Sequence, residues 1–180
     1  MTFTHLEFWD LGHRLFRTAS DTFPVTFVSG NVFDPEHLSI VPPFTASSPP
    51  ATVPDLRTLT SLNPLHGHVS AIHASCLFHL FPESAQVHLA HALAGLLSPQ
   101  PGSIIFGKQV GLPESGYLED PLIRRRLFCH SSRSWSELWD GEVFPKGTVK
   151  VLTFMTEFPK AEIYPEADSL RLLIWSVTRL

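Results

Sequence analysis

The chain has 180 residues, 43% of them hydrophobic, with a formal net charge of -4. That is enough apolar material for one domain with a substantial core, and it leaves no basic face for nucleic acid or anionic lipid. Only Cys76 and Cys129 are present, both in apolar surroundings. No signal-like N-terminus or membrane-length apolar run occurs, so the expectation is a soluble, cytoplasmic protein with reduced thiols.

The first element reads as a helix over residues 7–19. Phe8, Leu11, Gly12, Leu15 and Ala19 fall at helical spacing, with Asp10, His13, Arg14 and Arg17 elsewhere on its surface. Residues 23–28 (FPVTFV) read as a strand ending at Ser29-Gly30. Residues 34–54 hold six prolines and read as an irregular, exposed loop that opens with a helical turn at Asp34-Pro35-Glu36. A long insertion of this kind in a compact domain signals function or mobility. A short helix is expected over 56–62.

A β-α-β unit follows. Residues 69–74 read as a buried strand and 103–107 as its parallel partner. Between them lies a helix over 85–97 whose stripe is Leu89, Ala90, Leu93, Leu96 and Leu97. Pro82 suits its first turn, and Ser98-Pro99-Gln100-Pro101-Gly102 stops it. Such a unit implies parallel strands joined by a right-handed crossover. Residues 132–139 read as a helix, with Trp135, Trp139 and Phe144 packing it against the sheet. Residues 148–158 and 170–180 alternate as two strands, and 159–168 are long enough to make them antiparallel neighbours. The fold class is therefore α/β, a parallel sheet finished by an antiparallel pair.

Three stretches resemble fungal methyltransferases that use S-adenosylmethionine (SAM) to modify meroterpenoids and related secondary metabolites. The first joins EFWDLG (7–12) to FVSGNVFD (27–34). The second runs from VSAIHASCLFHLF (69–81) to LLSPQPGS (96–103). The third joins FCHS (128–131) to WSELWDG (135–141) and closes with SVT (176–178). The middle stretch is the most specific, because leucine-rich helix, Leu-Ser-Pro, Pro-Gly and strand follow in the family's order.

The resemblance implies a Rossmann-like, seven-stranded sheet with an antiparallel last pair and SAM across the carboxyl ends of the first strands. Residues 1–180 would be the C-terminal two-thirds of that single domain. On this plan 7–19 is the second helix, 25–28 the third strand, 69–74 the fourth and 103–107 the fifth. The first strand, its Gly-rich turn, the first helix and the second strand would precede Met1. That turn lets backbone approach the cofactor, and Gly107 and Gly111 do not replace it. The expectation is an incomplete sheet with unpaired strand edges, so that either the two halves close up directly, or another copy or a partner covers the gap, or the protein aggregates.

The cofactor contacts implied by resemblance are Asn31, Val32 and Phe33 at the adenine, and Ala74, Ser75 and Cys76 at the methionine end. Asn31 stands where Asp is expected, so it can exchange hydrogen bonds but offers no charge. His79, on the loop after the fourth strand, would face a small-molecule acceptor and remove its proton. Methyl transfer needs chiefly in-line positioning, so a base is not obligatory. Phe44 would line the pocket for a hydrophobic acceptor. No metal is implied: His66 with His68, and His88 with His91, lack the further ligands a closed site requires. Arg124-Arg125-Arg126 reads as a solvated or interface surface between a turn and a helix. A hydrolase using Ser75 or Cys76 with His79 lacks a nucleophile-elbow pattern and an orienting acid.

Overall fold

The computed structural model describes residues 6–19, 21–47, 52–120, 125–157 and 171–180. The β-α-β unit forms as expected. β1 (Ala71–His73) and β2 (Ile104–Gly111) are parallel, with Ala71 opposite Ile104 and His73 opposite Phe106. They are joined by α2 (Glu83–Leu96). The expected leucine and alanine stripe of that helix is buried, and so are Ala92, Ala94 and Gly95.

Two long strands complete the main sheet, β5 (Val149–Glu157) and β6 (Arg171–Arg179). β6 lies between β2 and β5 and runs antiparallel to both, so the order is β1-β2-β6-β5. The mixed α/β sheet thus passes from a parallel pair to antiparallel strands. The expected connection over 159–168 lies outside the described residues, as do Phe158 and Leu170.

One face of this sheet carries the core. Ile105 of β2, Leu173, Trp175 and Val177 of β6 and Val149 of β5 point toward α2 and α3 (Ser132–Trp139). Helix α3 starts at a capping box in which the Ser131 hydroxyl accepts from the Ser134 N–H, satisfying an amide of its first turn. Its Trp135 and Trp139 are fully buried with Phe144 and Phe78. Trp135 lies 4.8 Å from the Trp175 ring and 4.9 Å from the Phe78 ring, between centroids. This is the packing expected of Trp135, Trp139 and Phe144.

Five expectations are corrected. Residues 23–28 form no strand: the backbone is extended but unpaired, and Phe23, Val25 and Phe27 are exposed. No described strand lies beside them to complete a ladder, and alternation alone cannot hold a strand without one. The segment is instead held by α1 (Leu6–Phe16), whose Trp9 stacks on Phe27 at 4.9 Å. The helix ends at Arg17 in left-handed conformation, where the Thr18 N–H reaches the His13 carbonyl. Its expected apolar stripe is open to solvent, with Phe8, Leu11 and Leu15 all exposed.

The strand at 69–74 is shorter and less buried than expected, since Ala71 and His73 are exposed. It is an edge strand, and among the described residues nothing pairs with its outer side. The proline-rich loop is not exposed throughout. After an Asx-type turn at Asp34, Leu38 is fully buried, and Val41 packs so closely on Gly95 that a side chain there would clash. The helix expected at 56–62 is replaced by two single 3-10 turns, Leu56–Thr58 and Asn63–Leu65. Finally, Arg125 and Arg126 belong to a strand, β4 (Arg125–Cys129), paired antiparallel with β3 (Gly116–Asp120). Glu119 faces Arg126 across that ladder at 3.2 Å, and Arg126 also covers the Tyr117 ring. Arg124 lies outside the described residues.

His130 follows β4 into the core with 4% exposure, its Nδ1 2.9 Å from the Ser134 hydroxyl. Burial pushes its pKa down from 6.5 to about 4. Above pH 6.5 both folded and unfolded chains hold it neutral. Between 6.5 and 4 the unfolded chain binds a proton that the folded one refuses, so stability falls by up to about 3 kcal/mol. Thermal unfolding across that window should show this loss, and His130→Asn should flatten it. An unchanged profile in the variant would show that other groups carry the dependence.

Candidate functional site

The carboxyl end of β1 is shaped by backbone contact with β2. The ladder continues past the strand, with the Ala74 N–H donating to the Phe106 carbonyl at 2.9 Å and the Cys76 N–H to the Lys108 carbonyl at 2.7 Å. Between these bonds the Ala74 carbonyl presses on Gly107, where a Cβ would stand 2.3 Å from that oxygen. Only glycine permits this approach. Cys76 then adopts a left-handed conformation (φ 54°), and the chain leaves the sheet. Cys76 is exposed, correcting its assignment to apolar surroundings, whereas Cys129 is fully buried.

Ser75 turns to the face of the sheet opposite the helices. Its hydroxyl lies 2.7 Å from Nε2 of His73 and accepts from the Lys108 N–H at 3.2 Å. His73 also lies against Phe106, with ring centroids 5.0 Å apart. These residues border an open hollow of about 530 Å³, whose remaining walls include Leu152, Phe154 and Ile174. Neither His73 nor Lys108 was expected at the site. Strand parity held the signal, because positions 73 and 75 share one face of a strand.

The other expected residues are distributed differently. His79 sits on a 3-10 turn, Phe78–Leu80, is buried at 8% exposure and is not among the walls of the hollow. The cause is its neighbour: Phe78 is drawn completely into the tryptophan cluster and carries the turn inward. Val32 and Phe33 pack on the core, with Phe33 edge-on to Phe81 at 4.8 Å and 5.5 Å from the His88 ring. The Asn31 carboxamide oxygen accepts from the Phe33 N–H at 3.1 Å, which closes its own turn. Phe44 is at the opposite end of the sheet. Its carbonyl accepts from Arg179, which pairs beside the start of β2, so it lines no part of the hollow.

Ala74, Ser75 and Cys76 thus remain together at the end of β1, while of Asn31, Val32 and Phe33 the last reaches Phe81 and His88 beside α2. Among the described residues no glycine-rich turn leads from a strand into a helix, since Gly107 and Gly111 both lie within β2. Nor do three or more His, Cys, Asp or Glu side chains cluster to hold a metal among those residues.

No family model matches the chain. It is 32% identical over 144 residues to the O-methyltransferase phiE of Fungal sp., a match covering 80% of this chain. The chain is a relative of fungal methyltransferases. It is also 32% identical over 78 residues to the asnovolin E/chermesin D methyltransferase nvfJ of Aspergillus novofumigatus, across 43% of this chain and 28% of that enzyme. The methyltransferase trt5 of Aspergillus terreus is 26% identical over 76 residues, across 42% of this chain and 27% of that enzyme. The match to phiE likewise spans only 40% of that protein's length. This methyltransferase relative contains no helix, among its described residues, long and apolar enough to cross a membrane.

Proposed function

We propose that the chain forms the C-terminal part of a SAM-dependent methyltransferase domain that acts on a small secondary-metabolite acceptor in the fungal cytosol. We further propose that it does not hold SAM unaided. The observation that carries this reading is the sheet, in which a parallel β1-α2-β2 unit continues into antiparallel β6 and β5. In such sheets ligands gather outside the carboxyl ends of the parallel strands. Ala74, Ser75 and Cys76 lie at that end, and they would meet the methionine portion of the cofactor.

The bound cofactor would supply an electrophilic methyl group. What these residues offer is a rigid strand exit, a hydroxyl on Ser75 beside His73, and apolar walls. The absence of a glycine-rich turn among the described residues supports the second half of the proposal. The alternative, a non-catalytic binding module, draws support from the same absence and from the open sheet face.

Titration calorimetry with S-adenosylhomocysteine tests both halves. The chain alone should give no saturable heat up to millimolar ligand. A chimera flanked by the parts of phiE that lie outside the matched segment should bind. Saturable binding by the chain alone would sink the claim of incompleteness. A folded chimera that stays silent where phiE itself binds would favour the non-catalytic module.

A further inference from the structure

The contacts of the Ser75 hydroxyl determine what it can offer a ligand. A serine hydroxyl has one proton and two lone pairs. One lone pair receives the Lys108 N–H of β2 at 3.2 Å. Nε2 of His73 lies 2.7 Å from the same oxygen. That is a usual length for a hydroxyl donor and the short limit for an N–H donor to oxygen, so Ser75 gives its proton to a bare Nε2. The oxygen then keeps one lone pair free.

Both partners are held in place for this contact. His73 is paired opposite Phe106 in the β1–β2 ladder, and its ring rests on the Phe106 ring with centroids 5.0 Å apart. The backbone of Ser75 is fixed on either side by the Ala74 and Cys76 N–H groups, which donate to the Phe106 and Lys108 carbonyls. The hydrogen bond is therefore a property of the ladder itself.

Protonation of His73 reverses the pattern. An imidazolium carries N–H on both nitrogens and can only donate. Ser75 then accepts from His73 as well as from Lys108, both lone pairs are filled, and its own proton turns outward. Neutral His73 thus leaves Ser75 an acceptor toward a ligand, and charged His73 leaves it a donor. Histidine is the side chain suited to such a change between about pH 5 and 8. Of the hollow's other walls only Lys108 is ionisable, those on β5 and β6 carry no titratable group, and Cys76 is the next residue along the chain.

We propose that His73 is a positioning residue, which holds Ser75 as an acceptor for the ammonium group at the amino-acid end of the cofactor and releases it from that role when protonated. The choice of ligand group rests on the reading in which Ser75 meets the methionine portion of SAM. The hydrogen-bond pattern needs nothing beyond β1, β2 and the strand exit.

Nitrogen-15 spectra of the imidazole rings in the chain itself test the pattern without any cofactor. Neutral His73 should carry its proton on Nδ1 with Nε2 bare, and Ser75→Ala should return the ring to the tautomer mixture of free histidine. A neutral His73 protonated at Nε2, which the parent chain alone reveals, would overturn the proposal. So would a ring indifferent to Ser75→Ala. Calorimetry on the phiE chimera gives the second readout, with S-adenosylhomocysteine and with 5′-methylthioadenosine, which lacks the amino-acid end. S-adenosylhomocysteine should bind about tenfold more weakly at about pH 5.5 than at about pH 8, the worth of a hydrogen bond to a charged group, and methylthioadenosine equally at both. His73→Gln, whose carboxamide oxygen accepts the Ser75 proton at either pH, should keep the tighter binding throughout. The same pH dependence in His73→Gln as in the parent would overturn the proposal. A chimera that binds neither ligand would count against the methyltransferase reading, and the nitrogen spectra would still decide the role of His73.

Discussion

Replacing Gly107 by valine should leave little folded protein, and even Gly107→Ala should cost about 3 kcal/mol or more. A Cβ at this position would sit 2.3 Å from the Ala74 carbonyl oxygen, 2.7 Å from its carbon and 3.2 Å from the Ser75 nitrogen. All three are backbone atoms, so no rotamer change relieves the overlap. The strands cannot simply separate, because the Ala74 and Cys76 N–H groups are hydrogen-bonded to β2 on either side of the contact. Relief therefore means breaking at least one of these bonds and moving Ser75 away from the Lys108 N–H. Gly116→Ala is the control: it lies in a strand too, but nothing stands within 4 Å of its Cβ position, and its cost should be small. Denaturant unfolding of both variants checks the contrast, and a Gly107→Ala protein as stable as the parent would show that the approach is not needed.

The sequence made most of this architecture legible where local signals agree with burial. Helix α2 announces itself through a leucine stripe, Pro82 before its first turn and a Ser-Pro-Gln-Pro-Gly stop. The alternation of β5 and β6 is equally plain, and the aromatic content of α3 foretells its burial. What was not legible depends on partners distant in the chain. Residues 23–28 alternate like a strand, but alternation states what a segment can pair with and not whether a neighbour is there. The pair of β3 and β4 is short, and the basic residues at the start of β4 read more naturally as open surface, although Leu127, Phe128 and Cys129 that follow are buried. At the site, the position of Ala74, Ser75 and Cys76 at a strand end follows from the β-α-β unit that the local signals mark out. The burial of His79 follows that of Phe78, which packs against tryptophans from α3 and β6 distant in the chain. His73 stands two residues from Ser75, the spacing at which strand side chains meet, but that spacing marks a contact only once the strand is known to extend past Ala74.

That dependence of the loop on the aromatic cluster leads to the second large effect. Trp175→Ala should cost about 3–5 kcal/mol, because truncating a buried aromatic loses its transfer energy and leaves a cavity that close-packed neighbours fill only in part. Trp175 is 3% exposed and touches all three elements that meet here. It lies 4.8 Å from Trp135 and 6.0 Å from Trp139 on α3, and 5.8 Å from Phe78 on the turn after β1. Phe154, on the neighbouring strand β5 but facing the other way, is a similarly large ring with 63% exposure. Phe154→Ala should therefore cost well under half as much, since most of its surface already meets water. The comparison separates burial from strand propensity, because both substitutions place alanine in the same sheet. Since domains of this size hold only about 5–15 kcal/mol in reserve, Trp175→Ala should also loosen the segment from Cys76 to Phe81 before the sheet itself unfolds. Hydrogen exchange should then show amides 78–81 losing protection in Trp175→Ala ahead of those in β6. Uniform loss across both would mean that the turn and the sheet open as one unit, and that the site loop has no separate anchor in the cluster.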